Sequence, residues 1–137
     1  MTERELNRVR ELNKKIRTLE RFLAELRLSA ENIVPILDGL PKAALAKSRV
    51  EKIALRAVES GHELETLRNE LIQAKTELAD KIMAGMFEPV IQTLLMLRYV
   101  EGASFNQTAR RMRISLRHVF RLHEKFLKCH IAAQNHS

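Results

Sequence analysis

Tryptophan is absent from this 137-residue chain, tyrosine occurs once, and aromatic residues make up only 4% of it. So thin an aromatic supply, with four glycines and three prolines, argues against a sandwich or barrel of many short strands and tight turns. Cysteine is nearly missing too. Cys129 stands alone, which excludes an intrachain disulfide and fits a reducing compartment. Long apolar runs are lacking: the longest stretches, residues 33–40 and 90–97, fall well short of the roughly 20 residues needed to span a bilayer. The opening Met-Thr-Glu-Arg-Glu has no hydrophobic signal region. What is present is 45% hydrophobic and 30% charged residues, the balance of an all-α, water-soluble protein expected in the cytoplasm.

The formal charge is +7, and its distribution says more than its total. Residues 86–137 hold 8 basic against 3 acidic side chains, whereas residues 48–85 hold 6 against 7. A polyanion is therefore attracted most strongly to the last third of the chain.

Two heptad stripes organise the first 85 residues. Thr2 and Glu5 have capping-box spacing, and Val9, Leu12, Ile16, Leu19, Leu23 and Leu26 follow in alternating steps of three and four. This predicts a helix over residues 2–28. Pro35, Gly39 and Pro41 predict a linker over about 29–47, with the apolar segment 32–40 tucked against a helix. Ser48 and Glu51 read as a second capping box that opens a helix to about residue 84, with Gly85 as its stop. Val50, Ile53, Ala57, Leu64, Leu67, Leu71, Ala74 and Leu78 hold its seam, Ser60 is the one polar seam position, and Ser60-Gly61 allows a bend. The two stripes fit an antiparallel hairpin or coiled coil. Because an isolated two-helix unit has a thin core, pairing across a two-fold in a homodimer is expected, giving an association region at 1–85 and a separate domain at 86–137.

The C-terminal third carries the specific signals. Pro89 suits the first turn of a helix over 88–100 that stops at Gly102. Ser104 and Gln107 form a capping box for a short helix through Met112; Arg113-Ile114 makes a two-residue turn, and Ser115 caps a helix to about Lys128. Ala109 is small where crossing helices must approach, and Phe105, Met112, Ile114, Val119 and Leu122 fall where a helix-turn-helix needs buried contacts. Arg113 takes the turn position often given to glycine, where a positive φ costs a side chain modestly.

Leu-Leu-Met-Leu-Arg-Tyr-Val-Glu-Gly-Ala-Ser-Phe-Asn-Gln-Thr-Ala-Arg-Arg-Met-Arg-Ile-Ser at 94–115, continued through 119–127, resembles the fourth region of bacterial sigma factors. The whole layout is similar to a family of small phage- and prophage-encoded proteins of Gram-positive bacteria, grouped with regulators of late-gene transcription. The shared features are the helical first half, Asp-Gly-Leu-Pro at 38–41, Ser-x-Val-Glu at 48–51 and Leu-Arg-Tyr-x-x-Gly at 97–102. The resemblance implies a DNA-binding transcription regulator, with RNA polymerase as a further partner. Gln107 stands where sigma factors usually carry an acidic residue, Ala109 where they often have glycine, and Leu116-Arg117 where primary sigma factors tend to have Arg-Glu. The standard −35 sequence is therefore not implied. With no room for a melting region, no tryptophan and one tyrosine, Tyr99, the chain is not a complete sigma factor.

On the last helix, Arg117 and Arg121 are four apart, opposite the inward face of Val119, Leu122 and Phe126. They are the leading base-reading candidates, with His118 and Ser115 behind them. Arg110, Arg111, Arg113, Lys125 and Lys128 are phosphate-contact candidates, which position a protein without reading sequence. Met96, Tyr99 and Phe105 read as core, and Phe120 as a cover for the flank of helix 88–100. His123 and His130, with Cys129, lack the further converging ligands a metal site needs. No phosphate loop, nucleophile triad or carboxylate pair is visible, so no catalytic residue, metal or cofactor is expected. Two other readings suit the same pattern: a DNA-packaging component resembling a small terminase subunit, and an RNA polymerase-docking module that does not touch DNA.

Overall fold

The computed structural model describes residues 1–33 and 43–131. These form five α-helices and, among the described residues, no strand: α1 (Glu3–Ile33), α2 (Ala43–Ala84), α3 (Pro89–Leu95), α4 (Phe105–Met112) and α5 (Leu116–Phe126). Helices α3 and α5 each run on into a wider π-helical turn, Met96–Val100 and Leu127–Ile131. No described helix is long and apolar enough to cross a membrane.

The first long helix begins where its cap predicts. Thr2 Oγ1 accepts from the Glu5 N–H at 3.2 Å, and a Glu5 carboxylate oxygen accepts from the Thr2 N–H at 3.1 Å, so two of the orphan donors at the helix start are satisfied reciprocally. The helix runs past residue 28 to Ile33. The expected start at Ser48 is not the start: α2 opens at Ala43 and carries Ser48 inside it. Ala-Ala-Leu-Ala-Lys at 43–47 contains no breaker and ranks among the best helix formers, so helix propagates back through the capping-box spacing. The expected linker over 29–47 shrinks accordingly; Pro35, Gly39 and Pro41 lie outside the described residues, as does most of the segment expected to tuck against a helix. Ser60-Gly61 is accommodated within a continuous α2, and Gly85 follows its last residue, its N–H closing on the Lys81 carbonyl at 3.0 Å.

The chain forms two compact units, residues 13–70 and residues 1–12 with 71–137. In the 13–70 unit, Ile16, Leu23, Ser60 and Leu64 are buried, all seam positions. Arg68 pairs with Glu20 at 3.1 Å, and the Arg56 guanidinium lies 5.8 Å from the Phe22 ring centroid. These pairings place α1 and α2 antiparallel there. Both partners of the ion pair are about half exposed, so it stabilises by no more than about 1 kcal/mol, and the apolar seam dominates. In the other unit, Leu6, Val9, Leu12, Ala74, Leu78 and Ile82 are buried, and Lys81 meets Glu5 at 2.7 Å. About half of the stripe positions expected to meet across a two-fold are thus buried within one chain, and the rest are partly covered.

Helices α3, α4 and α5 pack pairwise against one another. Leu94 and Val119 are wholly buried and Ala109 nearly so, with Phe105, Met112, Ile114 and Leu122 packed around them. Burying each of the larger aliphatic side chains is worth about 1.5–3 kcal/mol. Phe126, also buried, meets Phe87 edge to face at 5.7 Å between ring centroids.

Candidate nucleic-acid interface

In the structure α4 lies between two left-handed residues. Gly102 has φ 75° and Arg113 has φ 57° with ψ 41°. At the start of α4, the Ser104 hydroxyl oxygen accepts from the Gln107 N–H at 3.1 Å while the Gln107 side-chain oxygen accepts from the Ser104 N–H at 3.0 Å. At its end, the Ile114 N–H reaches back to the Ala109 carbonyl at 3.1 Å and the Arg113 N–H to the Arg110 carbonyl at 3.2 Å. This is the paired closure of a Schellman motif, which needs its first residue beyond the helix in the left-handed region. The two-residue turn then delivers Ser115, whose hydroxyl oxygen accepts from the His118 N–H at 3.1 Å and caps α5.

On α5 the burial pattern separates two faces. Val119 and Phe126 are buried, whereas Leu116, Arg117, His118, Phe120, Arg121 and Lys125 are exposed. Arg117 and Arg121 share the outer face, as their spacing predicts. Arg110, Arg111 and Arg113 are exposed as well. Of the candidates, Arg111 is tied to Glu101 at 2.8 Å and Lys128 to Glu124 at 3.0 Å; among the described residues the other arginines of this region, Arg110, Arg113, Arg117 and Arg121, carry no ion pair. Ser115 spends its oxygen on the cap. Between Glu101 and Glu124 the chain has five arginines and no carboxylate, and a surface with that excess of positive charge attracts polyanions.

Behind it lies an aromatic cluster the sequence only partly signalled. Tyr99 Oη and His123 Nε2 share a hydrogen bond, and their rings stack at 5.7 Å. Phe105 meets the His123 ring at 5.1 Å and Phe120 at 4.9 Å. Phe120 thus has an aromatic partner on α4. Burial holds His123 below its ordinary value of 6.5, with Arg10 adding to the effect. Burial likewise raises the Tyr99 hydroxyl above 10.0, which Arg10 opposes and Glu3 reinforces. His130 sits apart, 4.9 Å from Phe87 and 5.4 Å from Phe126, so the two histidines belong to different aromatic clusters. Among the described residues no three His, Cys, Asp or Glu side chains converge to hold a metal.

Arg98 of the Leu-Arg-Tyr motif has a structural role that its sequence position does not signal. Its guanidinium lies 4.2 Å over the Phe105 ring and one amino group donates to the Ala103 carbonyl at 3.0 Å, clamping the corner that leads into α4. Thr108, fully buried, donates to the Ser104 carbonyl at 2.8 Å. A polar side chain that returns its proton to its own helix leaves no sequence signal. Comparison of the chain with family models, curated proteins and solved structures found no match.

Proposed function

We propose that α4 and α5 form a helix-turn-helix that binds duplex DNA, and that the protein is a sequence-specific transcription regulator of the phage or prophage type. It resembles region four of sigma factors without being a complete one. One observation carries this reading: Arg110, Arg113, Arg117 and Arg121 are exposed around a sharply fixed turn, in a segment of five arginines without a carboxylate. Helix α5 then serves as the recognition helix, since its outer face presents Arg117 and Arg121 in a row, and an arginine in the major groove can bond guanine O6 and N7 together. Arg110 and Arg113 hold phosphates, joined by Lys125 further along α5.

Self-association belongs to the same proposal, because two recognition helices read paired half-sites. With much of the heptad seams covered within the chain, two copies would meet through other apolar residues, for which Leu55 and Val58, exposed on α2, are the candidates. Light scattering at tens of micromolar tests this: a monomer there removes the dimer from the proposal.

For DNA binding, the test is affinity for a duplex selected from a random pool and for scrambled DNA, across a salt series. Arg117→Ala or Arg121→Ala should cost about 1–3 kcal/mol on the selected duplex and little on scrambled DNA. Lys125→Ala should weaken both alike and lower the salt slope by about one unit. Identical behaviour of all three variants would mean that Arg117 and Arg121 only hold phosphates. No enrichment of any duplex would defeat the DNA-binding reading.

A further inference from the structure

We infer that Leu116 is a specificity-determining residue that contacts the 5-methyl group of a thymine beside the base pair read by Arg117. This rests on the reading of α5 as the helix that faces DNA. Leu116 is the first residue of α5 and 37% exposed, and it takes no part in the cluster of Leu94, Ala109 and Val119 or in the side chains packed around it. It stands among arginines, between the turn residue Arg113 and Arg117, where a polar side chain would solvate better.

Phe120, one turn further along and 47% exposed, has a structural reason for its place in its contact with Phe105 at 4.9 Å. Leu116 has none. The charge of the segment selects the occupant: five arginines and no carboxylate between Glu101 and Glu124 suit a polyanion and not an acid-free apolar peptide. Within duplex DNA, the one apolar group displayed in the major groove is the thymine methyl, and side chains read it by apolar contact. A leucine flanked by an arginine thus asks for a thymine next to a guanine.

The experiment uses the full chain and a duplex enriched by it from a random pool, resynthesised with each thymine in turn replaced by deoxyuridine, which removes only the methyl group. Wild type should lose about fourfold in affinity at one such position, the worth of one buried methyl-sized group. Leu116→Ala should bind the thymine duplex about fourfold more weakly and be indifferent to that replacement, while Leu116→Met, which keeps an apolar reach, should retain the sensitivity. If no deoxyuridine replacement weakens wild type, or if Leu116→Ala keeps the same sensitivity, the inference is overturned while DNA binding stands. The same holds if Leu116→Ala leaves DNA binding unchanged and disrupts binding to RNA polymerase instead. If no duplex is enriched at all, both fall together.

Discussion

Replacing Arg113 separates the backbone of the turn from its charge. With φ 57° and ψ 41°, this residue sits in the left-handed region, where an L side chain costs roughly 1–2 kcal/mol because Cβ crowds the following carbonyl. Glycine removes that cost and gives back about 0.5–1 kcal/mol through the larger entropy of its unfolded chain. Arg113→Gly should therefore stabilise the protein by about 0.5–1 kcal/mol net. Arg113→Ala keeps a Cβ and should stay within about 0.5 kcal/mol of wild type, as exposed substitutions usually do. For a chain of this length the difference amounts to a few degrees in Tm, at about 3–5 °C per kcal/mol. Far-UV circular dichroism on heating measures it. Both variants lose the same positive charge, so both should bind DNA more weakly and to the same extent. Stability and affinity then move in opposite directions for glycine, and only affinity moves for alanine. An Arg113→Gly protein no more stable than Arg113→Ala would refute the reasoning, because the left-handed residue would then carry no relievable strain.

Other outcomes can be checked by urea unfolding. Ser104→Ala removes the acceptor of the Gln107 N–H and should cost about 1 kcal/mol. Phe126→Ala empties a site that is 1% exposed and should cost about 3–5 kcal/mol. The His123 ring titrates lower when folded than when unfolded, so the unfolded chain takes up the proton first as pH falls. Stability should be at its full value above about pH 6.5 and decline below it. His123→Gln should flatten that decline below about pH 6.5. Tyr99 works in the opposite sense: raised when folded, it keeps its contribution below about pH 10 and loses it as pH rises further.

Local rules were legible wherever the chain announces them with specific residue types. The Thr2/Glu5 and Ser104/Gln107 boxes, the Ser115 cap and the stops at Gly85 and Gly102 could be read because each satisfies orphan backbone groups by a short-range bond. Ser48 and Glu51 have the same spacing and failed, since a capping box competes with helix propagation and the alanine-rich 43–47 prolongs the helix upstream. The outer face of α5 was readable from periodicity alone. What periodicity could not supply was pairing across elements: that Phe120 turns to Phe105, that Arg98 covers the same ring, and that Tyr99 and His123 bond. These contacts depend on how α3, α4 and α5 cross, which no single helix encodes. Nor could the stripes say which partner covers them, since an apolar seam fits a neighbouring helix of its own chain as well as one from a second copy.

Residues 13–70 form a compact unit of their own, interrupting in sequence the unit made by residues 1–12 and 71–137. The seam of the 13–70 unit repeats every seven residues, so deleting one heptad from α1 and one from α2 within it preserves both apolar phases. The length of this hairpin is accordingly free to vary in paired steps of about 10 Å, while the surface around Arg117 keeps its shape. A lineage could shorten or lengthen this hairpin while keeping its seam in phase.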